Sequence, residues 1–337
     1  MFRRYFFWLL AIAFMWIVIS RLTEIQVLAE TLAQGRWQWV AAACAFQFLN
    51  FTFIAAAYRA AFWAVGVKSR LLQLIPLAYA SVFMGVAAPS IGASGAALFM
   101  DDAARRGESP ARAAAGALLY LASNLVAYFM VLVVGMVYLF LQDNLHAFQV
   151  AGAVILMLFI ALLSGVLLLG LWRPGLLSRL LAFIQRLVNG VLARLRRPPA
   201  IQDGWPERSA REFSQAAAAM AQRPSRLLAA ILMALVSHLM NLTSLFMVFM
   251  AFNQHVRLGV LVASYAMGLL FWIVTVVPHG IGVVEGVMTL VVTSLGVPAE
   301  TATVITLAFR GLGFWLPFAV GFIMLRRIRV FRAKEAV

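Results

Sequence analysis

The sequence predicts an all-α, polytopic membrane protein forming a single transmembrane domain over residues 1–337, and three observations carry that prediction. First, 64% of its 337 residues are apolar, 12% are charged and the mean hydropathy is +0.94, whereas a soluble globular domain carries roughly 25% charged residues. Second, the Lys and Arg residues behind the formal net charge of +15 lie almost entirely at the ends of apolar runs. There they set topology and meet anionic headgroups, so the charge does not point to nucleic acid. Third, two apolar stretches are each interrupted by a Pro/Gly-rich segment, one at Pro89 and one at Pro278. Non-helical backbone facing hydrocarbon would leave N–H and C=O groups unpaired, so these breaks must line a cavity or pack inside protein.

The elements follow in order. Met-Phe-Arg-Arg and the apolar residues 5–19 read as an uncleaved first span with its N-terminus in the cytoplasm, because no small-x-small cleavage site follows. Trp37 and Trp39 mark an interface at the start of the next span, which runs to about Tyr58 and is closed on the inside by Arg59, Lys68 and Arg70. An apolar run over 71–88 leads into Pro89, Ser90, Ile91, Gly92, Ala93, Ser94 and Gly95. A short helix then continues to Asp101 and Asp102, with Arg105, Arg106 and Arg112 beyond. Basic residues on both sides make this a hairpin that starts and finishes in the cytoplasm. At helical rise the run 71–88 is about 27 Å long, so a re-entrant hairpin and two short spans both fit.

Residues 113–141 cross outward to a loop at 142–146 that has no Lys or Arg, and residues 150–172 return. The extramembrane segment 173–226 separates a first half, 1–172, from a second half, 227–337. Its Leu177, Leu180, Leu181, Ile184, Leu187, Val191 and Leu195 recur at helical spacing among Arg179, Arg186 and Arg194. That pattern suits a helix in the headgroup layer, with a solvated linker as the alternative. Residues 207–222 read as a further amphipathic helix with Ala210, Phe213, Ala217 and Met220 on one side. Residues 227–251 then cross outward, a second broken hairpin occupies 258–295, and 299–325 cross inward to a basic tail beginning at Arg326.

The halves repeat. Phe48-Leu49-Asn50-Phe51-Thr52 is similar to Leu239-Met240-Asn241-Leu242-Thr243, and each is followed by a broken hairpin, then by a Gly and a Pro (Gly107 and Pro110; Gly296 and Pro298), then by a long span. Asn50 lies on an inward span and Asn241 on an outward one, so an inverted repeat is expected, with its two broken hairpins entering from opposite faces. Paired interrupted segments in inverted halves point to a transporter whose binding site lies near the midplane.

Arg310 lies about 16 Å into the last span at helical rise, close to mid-depth. A lone Arg there is costly and requires a partner. Glu285, near the tip of the preceding hairpin, is the carboxylate expected at that depth, either as a structural clamp or as the resting counter-ion of an Arg310 that binds lipid phosphate. Guanidinium suits the second role because its planar fork holds two phosphate oxygens while staying charged. Gly280, Gly282 and Gly286, like Gly92 and Gly95, would let backbone approach a headgroup, and the helix starts after each break offer N–H groups to an anion. The candidate substrate-binding set is therefore Glu285, Arg310, Pro278, His279, Gly280 and Gly282, with Pro89, Ser90, Gly92, Ser94 and Gly95.

His279 could relay protons, but it and His238 read first as hydrogen-bonded structural residues, and Asn50, Asn124 and Asn241 as polar contacts between helices. Asp101 and Asp102 are expected to pair with Arg105 and Arg106. Cys44, the sole cysteine, excludes disulfides within the chain. No HExxH, P-loop, dinucleotide or nucleophile-elbow motif stands in a suitable context, so neither enzymatic activity nor a cofactor or metal is expected.

At Pro278-His279-Gly280-Ile281-Gly282-Val283-Val284-Glu285, Gly296 and Arg310, the chain resembles the membrane region of bacterial lysylphosphatidylglycerol synthases and their stand-alone, flippase-like relatives. That resemblance covers approximately residues 37–325, with a looser match from Pro89 to Gly95. It implies a lipid translocase of the bacterial inner membrane that moves a phospholipid or other amphiphile between leaflets, with membrane lipids as partners and a homo-oligomer compatible. The sequence ends at Val337 without the soluble aminoacyl-transfer domain, so synthase activity is not expected. The alternative from another class is a scaffold that recruits a lipid-modifying enzyme or glycosyltransferase through residues 173–226.

Overall fold

The computed structural model describes residues 35–87, 93–194, 198–199, 201–275 and 280–325, and every regular element among them is helical. The expected first span, the basic tail, and Pro89, Ser90, Gly92, Pro278 and His279 lie outside the described residues. Six described helices are long and apolar enough to cross a membrane. With the apolar composition, this makes the chain a multi-pass membrane protein.

At the centre, α1 (Trp37–Ala64) packs along α8 (Pro224–Ala251). The two run antiparallel from end to end. The Arg36 N–H donates to the Ala251 carbonyl (3.0 Å), Ser244 Oγ to the Ala43 carbonyl (3.0 Å) and Arg226 Nη1 to the Trp63 carbonyl (3.0 Å). Ala43, Ala55 and Ala57 on α1, with Ala230 and Ala234 on α8, are buried, and such small residues let helix backbones approach where lipid supplies no hydrophobic drive. α1 extends six residues past Tyr58, carrying Arg59 exposed on its side. Gly66, at φ +83°, is what allows the turn after it.

Each half then forms a helical hairpin. In the first, α2 (Leu71–Ala87) and α3 (Ala93–Arg105) meet where Gly95 faces Ser81; a Cβ on Gly95 would lie 3.0 Å from the Ser81 Cβ. Its base is closed beside the start of α4 (Pro110–Leu141). There Glu108 accepts from the Lys68 N–H (3.0 Å), and Arg106 donates to the Lys68 carbonyl. In the second, α9 (Leu258–Val274) and α10 (Val283–Ser294) meet where Gly268 faces Met288. Its base lies beside the end of α4: Gly259 sits against the Tyr138 ring, and Asn144 Nδ2 donates to Ser294 Oγ (2.9 Å). The two hairpins therefore open toward opposite ends of α4.

The last span is α11 (Ala299–Arg310), a π-helical turn (Gly311–Trp315) and α12 (Leu316–Leu325). Proline at 317 has no N–H to give the Gly313 carbonyl and its ring crowds that carbonyl, so the ladder widens ahead of it. The hairpins exchange partners between halves. α2 packs along α12, with Gly321 under the Tyr79 carbonyl and Phe83 stacked on Phe318 (5.2 Å). α9 packs along α4, with Tyr128 OH donating to the Ala266 carbonyl (2.7 Å).

Between the halves, α5 (Ala147–Trp172) is apolar and faces outward over most of its length, as a lipid-facing span does. α6 (Pro174–Arg194) and α7 (Trp205–Ala221) follow. The one-sided pattern of 207–222 buries Ala210, Phe213, Ala217 and Met220. Phe213 lies over Gly170 of α5, where a Cβ would be only 2.5 Å from its ring. Glu212 accepts from the hydroxyl of Ser109, which also caps α4. α7 thus ties the ends of α4 and α5 together.

Candidate functional site

Glu285 is the third residue of α10, one turn after the break, and Arg310 is the last residue of α11, immediately before the π turn. Arg310 Nε donates to Glu285 Oε1 at 2.7 Å, with side chains 12% and 18% exposed. The other carboxylate oxygen, Oε2, accepts the Gly282 N–H at 2.7 Å. A single carboxylate therefore caps the start of α10 and neutralises the guanidinium, joining hairpin tip to last span. The negative charge also lies at a helix N-terminus, where the backbone dipole favours it. The Arg310 guanidinium lies 4.9 Å from the Phe314 ring centre, a cation–π contact four residues on.

Backbone around the break is shaped by glycine. Gly280 and Gly282 adopt φ of +64° and +85°, and a Cβ on Gly280 would lie 2.6 Å from Val284 and 3.3 Å from the Trp272 backbone. Glycine is thus required at 280 for conformation and space together. In the first half Ser94 and Gly95 open α3. There no charged pair is brought together among the described residues: the positions matching Glu285 and Arg310 by order within their helices are Gly95 and Leu121. The first hairpin's charges sit at its base instead, as Asp101–Arg105 (2.7 Å) and Asp102–Arg106 (3.0 Å).

A chain of mostly buried polar groups runs between the helices. Asn50 Nδ2 donates to Gln47 Oε1 (3.3 Å), Gln47 Nε2 to Asn241 Oδ1 (2.7 Å), and Asn241 Nδ2 to the Tyr265 hydroxyl (3.4 Å). That hydroxyl is 2.8 Å from His238 Nδ1, whose Nε2 is 3.4 Å from the Asn124 carbonyl. The chain links α1, α8, α9 and α4. The expected packing role fits Asn241 directly, Asn50 through Gln47, and Asn124 only through its carbonyl. Gln47 and Tyr265 were not anticipated; the signal for Gln47 was an amide alone between Phe46 and Phe48 in an otherwise apolar run. The network reaches the last span at Gly313, where a Cβ would lie 3.2 Å from Gln47 Nε2.

Antiparallel central helices, two broken hairpins at opposite ends and a part-buried acid–base pair at one break define a multi-pass helical membrane protein with polar chemistry inside its bundle. The chain belongs to the lysylphosphatidylglycerol synthase TM region family, whose model matches residues 7–321. None of the curated proteins compared with it matches.

Proposed function

We propose that this protein is a lipid translocase: it moves a phospholipid or other amphiphile between the leaflets of a bacterial inner membrane, with both termini cytoplasmic and without catalysing a covalent reaction. The observation that carries this reading is the Glu285–Arg310 pair at a helix break (2.7 Å). Burying such a pair costs several kcal/mol per ion and is rarely the most stable way to fill a membrane core, so it is better understood as a site than as a clamp. In the resting state Glu285 holds Arg310. An arriving headgroup phosphate takes the guanidinium in its place, since a planar fork accommodates two phosphate oxygens, and the released Glu285 uncovers the Gly282 N–H at the start of α10.

The two halves are, on this reading, inverted repeats that rock about α1 and α8. Three features support it: α1 and α8 are antiparallel and each has 28 residues, α2 and α9 each have 17, and the hairpins open to opposite ends of α4. The test is redistribution of a fluorescent anionic phospholipid across proteoliposomes. Wild-type protein should accelerate it and Arg310→Ala should return it to the level of protein-free vesicles. Retained transport by Arg310→Ala at equal reconstitution would reject the site, and absence of transport by the wild type would favour the scaffold reading.

A further inference from the structure

α6 is oriented the wrong way round for a helix in water. Its amide residues face the segment that follows it: Gln185 Nε2 donates to the carbonyls of Ile201 (3.4 Å) and Gln202 (3.1 Å) and to Asp203 Oδ1 (3.5 Å). Asn189 makes a two-way pair with the Ile201 backbone, donating at 2.8 Å and accepting at 3.2 Å. Opposite them on the helical wheel, Leu176, Leu180, Phe183, Ile184, Leu187 and Val191 form a continuous exposed stripe, with Phe183 58% and Leu187 59% accessible. No described residue covers it.

Arg179 and Arg186 flank one edge of that stripe, and Arg173 and Arg194 stand at the two ends. All four are exposed, and α6 contains no acidic residue. The helix leaves α5 at Trp172, itself 70% exposed, through a non-helical Arg173 (φ −138°, ψ 61°) and Pro174. It then packs chiefly on α7, which lies over the ends of α4 and α5. α6 therefore does not double back along α5 as a further span would, although its length and composition would permit one.

We infer that α6 is an interfacial helix that binds the anionic phospholipid surface at the basic end of the bundle, its leucine and phenylalanine stripe entering the acyl boundary and its arginines meeting lipid phosphates. An apolar face, cationic flanks, no acid and a start at a membrane-edge tryptophan are together the chemistry of a headgroup-layer helix. This inference is independent of the translocase reading, because it concerns a surface remote from the Glu285–Arg310 pair in sequence and requires no transport.

The test uses the full chain with Cys44, its only cysteine, replaced by serine. Leu180→Cys, Phe183→Cys, Leu187→Cys and Val191→Cys, made one at a time, carry an environment-sensitive fluorophore. Each protein is reconstituted in phosphatidylcholine vesicles with or without phosphatidylglycerol, and quenched by headgroup-level spin labels, by deep-chain spin labels and by aqueous iodide. The inference predicts a common shallow depth at all four positions and protection from iodide that increases with phosphatidylglycerol. Adding Arg179→Glu and Arg186→Glu should weaken that protection by about fivefold per arginine. A depth that changes steadily from Leu180 to Val191 would make α6 a membrane span. Iodide access in every lipid would make the stripe a surface for another protein, and protection indifferent to phosphatidylglycerol would remove the anionic lipid; each of these results overturns the inference.

Discussion

The two hairpins are alike in length and differ in their chemistry. Each follows one long helix and precedes another, with arms of 17 and 13 residues in the first half and 17 and 12 in the second. Yet the third residue after the break is Gly95 in one and Glu285 in the other, and the twelfth residue of the following helix is Leu121 in one and Arg310 in the other. α4 is continuous, whereas the last span is widened by a π turn directly after the arginine. At these positions by order the first hairpin and α4 carry uncharged residues, where the second hairpin and the last span carry an acid and a base.

The sharpest way to break the comparison is to remove the charges. Arg310→Ala leaves Glu285 without its cation and should cost on the order of 3–5 kcal/mol, read as a drop in melting temperature in detergent. Leu121→Ala in the first half loses only partly buried apolar surface and should cost about 1 kcal/mol. Next in size, Pro317→Ala restores the missing N–H and lets the last span regularise, turning Arg310 relative to α12. Transport should fall severalfold while the protein stays folded, and unchanged transport would strip the π turn of any role.

Gln47→Leu removes the donor to Asn241 and should cost about 1–2 kcal/mol in unfolding experiments, since interhelical hydrogen bonds in membranes are individually modest. The smallest contrast lies between two glycines. Gly95→Ala meets Ser81 at 3.0 Å and should destabilise by about 1 kcal/mol, while Gly286→Ala enters open space on a helix and should be neutral or stabilising by up to about 1 kcal/mol.

Much of the fold was legible because lipid simplifies the rules: apolar runs bounded by Arg and Trp must be helices, and Pro/Gly clusters between them must be breaks. Glu285 and Arg310 could be paired in advance because a charge at depth needs a partner and few acids were available. The π turn was not foreseen, although Gly311, Gly313 and Pro317 announce it, because a proline late in a span reads equally well as a simple kink. Gln47 and Tyr265 escaped notice because their partners lie on other helices, and which faces of α1, α8 and α9 meet is a tertiary outcome. For α6, periodicity identified an amphipathic helix but not which face turned outward; that depended on amide bonds to residues 201–202, too distant in chain to read from spacing.

The most direct test is the double variant Glu285→Ala with Arg310→Ala, measured for both melting temperature and lipid redistribution in the same preparation. With neither charge left unpaired, the account predicts a melting temperature recovering most of the way to wild type while redistribution stays at the level of protein-free vesicles. Wild-type redistribution by that double variant would contradict it, leaving the pair as a clamp and nothing more.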